Sequence, residues 1–228
     1  PTVAAQVLVS DNDQHIIAFG ANTLGSATQD PLLVRWSDQE SAADWTPTAT
    51  NTAGGVRVNS GSAIVGAVQT RQEILIWTDT SLHSMRFVGA PFIFQFTTLS
   101  TDVAMISPNA AVNARGNVFF MDKTGFYIYN GAVQQLPCSV QDYVLSNINM
   151  SQAFKVFAAE NNAFSEIIWF YPVGSGTPDI TNYVSYNYAE NVWAVGTLAR
   201  GGWLDSGVLN GPVGSSVVTD TGGANYLY

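Results

Sequence analysis

The sequence predicts an all-β chain: a β-propeller of four-stranded antiparallel blades, about four complete and a partial fifth, with one short inserted helix. Three observations predict it. Apolar runs of strand length alternate with polar turns, these runs group into four-strand units at a period of roughly 40–60 residues, and helical periodicity occurs at one place only. One small twisted sheet cannot bury both its faces unless neighbouring sheets stack on it, so repetition of such units implies blades. They are expected at about residues 1–50, 60–100, 107–137 and 152–198, with the partial one at 203–228, as a single propeller domain or a fragment of one.

In the first unit Val3 to Ser10 reads as strand one, and Asp11-Asn12-Asp13 as a turn whose side chains cap their own backbone. His15 to Phe19 is strand two, Asn22 to Pro31 a polar surface loop, Leu32 to Ser37 strand three, and Asp44-Trp45-Thr46 the short closing strand. The second unit is the clearest, with strands at Ser62–Val68, Glu73–Asp79, Ser81–Phe87 and Phe92–Phe96. The third runs Ala110–Asn113, Asn117–Asp122, Gly125–Tyr129 and Ala132–Gln135. Ser139 followed by Asp142 resembles a capping box, and Val140, Tyr143, Val144 and Ile148 share a face at helical spacing, so a short helix is placed there.

The fourth unit reads as Ala153–Ala159, Glu166–Tyr171, Tyr183–Tyr188 and Asn191–Val195, echoing the first in its polar turn before a Trp. The fifth supplies Pro212–Thr219, a turn at Thr221-Gly222-Gly223, and Asn225–Tyr228. Its last strand is expected at an open edge, with closure onto Val3–Val9 as the competing arrangement. Trp36, Trp77 and Trp169 lie within apolar strands and are expected to be buried between blades, as is most of the aromatic set.

Composition narrows the function. The 228 residues carry 8 Lys and Arg against 17 Asp and Glu, a net charge of -9, which disfavours a nucleic-acid grip that depends on neutralising phosphates. The charged fraction of 11% is low for a free monomer and fits a surface engaged in permanent interfaces. Cys138 stands alone, so no internal disulfide is expected, and no apolar run approaches the ~18 residues of a membrane span. The opening Pro1-Thr2-Val3 reads as a trimmed terminus or an internal start rather than a secretory leader.

No catalytic, cofactor-binding or metal-binding residue is expected. Asp79, Ser81, His83 and Ser84 suggest a triad, yet they share one hairpin, whereas triads assemble from separate elements around a cleft. His15 and the Asp11-Asn12-Asp13 turn lack the Gly and distal Glu of a calcium loop. Asp38 with Glu40, and Glu160 with Glu166, read as solvated carboxylates. Ser37-Asp38 to Asp44-Trp45 lacks the glycine and spacing of a sialidase Asp-box, and Arg35, Arg57, Arg71, Arg86, Arg115 and Arg200 are scattered along the chain. Gly54-Gly55 and Gly201-Gly202 read as loop hinges, and Asn149-Met150-Ser151 as a chance sequon.

Several ordered strings between about Leu32 and Asp205 carry a resemblance. They are Val34-Arg35-Trp36-Ser37-Asp38 through Asp44-Trp45-Thr46-Pro47-Thr48, Arg71 to Asp79, Phe87-Val88-Gly89-Ala90-Pro91-Phe92, Gly125 to Gly131, and Tyr186-Asn187-Tyr188 through Asn191-Val192-Trp193. Together they resemble the tail hub (nozzle, or packaged-DNA stabilisation) proteins of short-tailed bacteriophages. The resemblance implies an oligomeric β-propeller virion protein of the phage tail, joined to portal and adaptor proteins, carrying spikes or a needle, and surrounding the DNA channel. It implies no catalytic residue, and family members are typically longer than this chain.

The expected function is therefore structural. A ring-shaped homo-oligomer would retain and conduct genomic DNA without sequence-specific binding or membrane insertion, its acidic faces preventing adhesion. The alternatives are a carbohydrate-binding or carbohydrate-cleaving propeller of a host-surface recognition module, marked by convergent carboxylates beside Trp or Tyr, and a cellular scaffold propeller.

Overall fold

Short β-branched and aromatic runs separated by tight polar turns can pair only with their sequence neighbours, and the chain folds accordingly into antiparallel meanders. The computed structural model describes residues 1–176, 179–205, 211–215, 217–219 and 225–227. The chain divides into two compact units, Pro1–Met105 and Ile106–Tyr228.

The first unit holds two four-stranded sheets, each in sequential order. The first sheet comprises β1 (Gln6–Val9), β2 (Ile16–Phe19), β3 (Leu33–Trp36) and β4 (Gly54–Arg57). The second comprises β5 (Ile64–Gln69), β6 (Ile74–Thr78), β7 (Leu82–Gly89) and β8 (Ile93–Ser100). Ile17, Phe19, Val34 and Trp36 of one sheet meet Ile64, Ala67, Ile76, Met85 and Phe94 of the other in a shared core. Every residue of β6 is buried, as a strand covered on both faces requires.

The two first strands are stitched by side chains that imitate a β-ladder. The Gln6 amide donates to the Ala67 carbonyl (2.8 Å) and accepts from the Ala67 N–H (2.7 Å). Gln69 reciprocates, its amide oriented to donate to the Val9 carbonyl and accept from the Asp11 N–H, both at 2.9 Å. Ala67 is 3% exposed, and its small side chain lets the sheets approach closely enough for the clasp.

The second unit repeats the plan. β9 (Ala111–Ala114), β10 (Asn117–Asp122), β11 (Gly125–Tyr129) and β12 (Val133–Leu136) form one sheet. β13 (Phe157–Asn161), β14 (Glu166–Pro172), β15 (Ile180–Asn187) and β16 (Val192–Thr197) form the next. Here the seam is main chain itself: Asn109 bridges Phe157 in parallel, and the Ala158 N–H donates to the Asn109 carbonyl at 2.8 Å. Ser107 donates to the Val156 carbonyl, and the Trp169 indole to the Ala110 carbonyl at 3.1 Å. Away from the seam an aromatic layer fills the gap, with Phe126 4.9 Å from Trp169 and 4.7 Å from Trp193, and Trp193 4.6 Å from Tyr186.

The all-β class, the four-strand blade-like sheets and, among the described residues, the single short α-helix agree with the sequence reading. Four details differ. Asp44-Trp45-Thr46 is not the closing strand of the first sheet, because Asp44 bonds its own loop instead: its carboxylate accepts from the Thr46 N–H and from Asn51. The closing strand begins at Gly54, read as a hinge, which faces Trp36 so closely that a Cβ would lie 2.6 Å from the ring. Tyr183 covers Gly196 in the same way on β16.

The first strand of the fourth sheet starts at Phe157 rather than Ala153, since Asn149 caps a 3₁₀ segment over Met150–Lys155. The helix α1 (Gln141–Asn147) has Val140 at its N-cap with no side-chain cap bond, so the Ser139/Asp142 box does not form. Val144 and Ile148 are buried as expected, whereas Tyr143 is 52% exposed. Finally, the segment expected as one strand over 212–219 is divided between two ladders. β17 (Gly202–Leu204) pairs with β18 (Val213–Ser215), and β19 (Val217–Thr219) with β20 (Asn225–Leu227). The turn expected at 221–223 lies outside the described residues.

Trp36, Trp77 and Trp169 are buried at 4%, 0% and 0% exposure. Trp77→Ala is expected to lose about 3–5 kcal/mol in urea unfolding. Gln6→Ala orphans the N–H and C=O of buried Ala67 and is expected to cost at least about 2 kcal/mol, at 1–3 per orphaned group. A Gln6→Ala protein with an unchanged urea midpoint would show that the clasp contributes nothing.

Candidate functional site

Hydroxyls and an imidazole converge at one edge of the second sheet. His83 stands on β7, Thr98 beside it on β8, Ser81 in the turn between β6 and β7, and Ser60 in the segment after β4. The His83 Nε2 lies 2.9 Å from Ser60 Oγ and 2.8 Å from Ser81 Oγ, while Nδ1 faces Thr98 Oγ1 at 3.2 Å. Ser60 and Ser81 are themselves 2.7 Å apart, and Thr78 Oγ1 is 2.7 Å from Ser81 Oγ. A cleft of about 160 Å³ lined by Val56–Asn59 and Phe96–Thr98 reaches His83.

The triad suggested by sequence is not assembled. Asp79 accepts from the Ser62 N–H (2.7 Å) and Ser62 Oγ (2.5 Å), bonds that hold its carboxyl below the ordinary range. Ser84 donates to Glu73 instead. Ser60, which sequence reasoning missed, arrives from a separate segment, and only the inter-sheet packing reveals it. Burial lowers the His83 pKa, and hydroxyls face both of its ring nitrogens, so the site favours a neutral ring that ties three segments together.

The second histidine, His15, is 0% exposed between Phe87 and Phe94, with centroids at 5.8 and 5.2 Å. Its Nε2 is 3.1 Å from Thr52 Oγ1, whose own proton goes to Asp38 Oδ1 at 2.6 Å. The ring therefore donates through Nε2–H, and Nδ1 is buried. Bonds from Thr52 also hold the Asp38 carboxyl low. The neighbouring Asp11-Asn12-Asp13 segment is a turn as expected: Ser10 Oγ donates to Asp13 (2.9 Å), and Asn12 to the Arg71 carbonyl (2.9 Å).

Carboxylates crowd at one place in the second unit. Burial raises the Glu160 pKa, the nearby Asp205 charge raises it further, and Arg115 opposes both. Asp205 accepts from the Asn162 N–H (2.7 Å), Arg115 donates to Asn162 Oδ1 (3.2 Å) and lies over the Tyr188 ring at 5.4 Å, and the Trp203 indole donates to the Glu160 carbonyl (3.0 Å). Glu166, the expected companion of Glu160, accepts from Asn161 instead.

The remaining candidates are quiet. Arg35 is buried and donates to the Asn22 and Trp45 carbonyls, Arg57 pairs with Asp30 at 2.9 Å, and Arg86 meets Glu73 at 3.4 Å. Burial pushes the Cys138 thiol up, away from thiolate reactivity. Among the described residues no group of three or more His, Cys, Asp and Glu could hold a metal ion, and no helix is long and apolar enough to cross a membrane. No protein-family model and no curated protein matches the chain.

The histidines give the first unit a predictable acid response. Both folded pKa values lie below the ordinary 6.5, so the unfolded chain binds more protons below that pH. Their stabilising contribution is complete above about pH 6.5 and declines as pH falls, by up to about 1.4 kcal/mol per pH unit for each ring. The depressed Asp38 and Asp79 add a second loss below their ordinary 3.8. The urea midpoint is expected to drop between pH 7.5 and 5.5, and less so in His83→Gln; a flat midpoint over that range contradicts the assignment.

Proposed function

We propose that the chain is a structural component of a short-tailed phage tail hub, assembled as a ring around the DNA channel and contacting portal, adaptor and spike or needle proteins. The observation that carries this reading is the ordered set of tail-hub-like strings, most of which fall on strands of the four sheets. Val34–Trp36 lies in β3, Ile74–Thr78 in β6, Gly125–Tyr129 forms β11, and Tyr186-Asn187 and Val192-Trp193 pair across β15 and β16.

Charge supports it. The excess of 17 acidic over 8 basic residues is sharpened by the fate of the arginines, since Arg35 is buried and Arg57 and Arg86 face carboxylates. Such a surface repels the phosphate backbone, as a conduit for DNA requires. In electron micrographs of the source particle, an antibody to the chain is expected to label a single vertex, at the tail. Label scattered over the capsid, or absent from the particle, contradicts the proposal.

The Glu160–Asp205 pair beside Trp203 and Tyr188 favours a second reading, a carbohydrate-binding or carbohydrate-cleaving module. Under that reading purified chain retains or hydrolyses host-surface polysaccharide, and Glu160→Gln abolishes it. Absence of both retention and reducing-sugar release in the wild type removes this alternative.

A further inference from the structure

Two exposed apolar features of the first unit have no partner within its sheets. One is the end of the β7–β8 hairpin. β6 pairs with β7 only as far as Met85, yet β7 continues to Gly89 and pairs with β8 through Phe87↔Phe94 and Gly89↔Ile93. The hairpin therefore projects beyond its sheet. Its root is fixed in the core by Phe94, which is 5% exposed and 5.1 Å from Trp36. Its tip leaves Phe92 79% and Val88 46% exposed, and the turn holds Ile93 at φ 56°, a region that β-branched residues occupy only with strain. A strained turn that presents an exposed Phe fits an anchor for a partner.

The other feature is the outer face of β1. Leu8 packs into the core shared by the two sheets, so strand alternation turns its neighbours Val7 and Val9 away from it. They are 54% and 59% exposed, and Val3, further along the same edge, is 38% exposed. The stripe ends at the acidic turn of Asp11 and Asp13, while the root of the hairpin carries Arg86, which stands opposite Gln95 and whose side chain is 55% exposed beyond its 3.4 Å ion pair with Glu73.

We propose that the Phe92 tip of one copy docks on the Val7/Val9 stripe of a second copy, with Arg86 facing Asp11 and Asp13. Phe94 at the root of the hairpin and Leu8 share one core, so Val7 and Val9 face away from the core that anchors the hairpin. Two different patches that complement each other make a head-to-tail contact, which closes into a ring when the rotation permits. The inference rests on the ring assembly proposed above and names the surfaces that build it.

The test uses the full chain in sedimentation velocity over a concentration series, with melting followed by circular dichroism. Phe92→Ser is expected to raise the dissociation concentration at least tenfold and to leave melting unchanged. In a Cys138→Ser background, oxidising a mixture of Phe92→Cys and Val7→Cys proteins is expected to give a crosslinked heterodimer. Rings that persist unchanged in Phe92→Ser, or crosslinks only between two Phe92→Cys chains, overturn the docking and leave the tail-hub reading standing. A wild type that stays monomeric and instead binds phosphatidylcholine vesicles through Phe92 overturns the docking and the ring together.

Discussion

The arrangement within each unit depends on how the first strands of adjacent sheets meet. A four-stranded meander satisfies its interior hydrogen bonds but leaves its first strand with an unpaired edge, and an unpaired edge buried beside another sheet is costly. The first unit resolves this with side chains, Gln6 bonding Ala67 and Gln69 bonding Val9 and Asp11. The second resolves it with main chain, Ala158 to Asn109, reinforced by Ser107 and Trp169. Both solutions require small residues at the seam, and Ala67, Ala110 and Ala159 are all at most 5% exposed. Once the seam is fixed, the large aromatics have room only further out, where Trp36, Phe94, Phe126 and Trp193 fill the widening gap.

The same packing explains the state of the polar groups. His83 meets Ser60 only because the segment after β4 is brought against β7 by the sheet stacking. His15 is enclosed by Phe87 and Phe94 of the neighbouring sheet, and its tautomer is fixed by the demand that Asp38 places on Thr52. These groups hold segments together, and their depressed pKa values follow from enclosure in an apolar seam. Glu160 differs: its raised pKa comes partly from Asp205, a like charge brought near in the folded chain.

What was legible in the sequence was the local part. Alternating apolar runs with their own turns located β5 to β8 and β9 to β12 to within a few residues, because register and pairing there are set by short connections. Errors arose where side chains competed with the ladder. Asp44 drew its segment into a self-bonded loop, and Asn149 wound Met150–Lys155 into a 3₁₀ segment. Gly54-Gly55 read as a hinge because the reason for the glycine, the Trp36 ring opposite, is a cross-strand fact. The partners of His83 and Glu160 were illegible for the same reason, since Ser60 and Asp205 are distant in sequence and approach only in the packed unit. Charge balance, by contrast, needs no fold, and the acidic excess is a property of composition.

The central claim is that stacked sheets are locked at their first strands. Residue-resolved hydrogen exchange tests it most directly. The account predicts that the amides of Ala67 and Ala158, each bonded across a seam rather than within its own sheet, exchange as slowly as the central-strand amides of β6 and β14. Exchange of Ala67 and Ala158 at the rate of a solvent-exposed edge amide would contradict it.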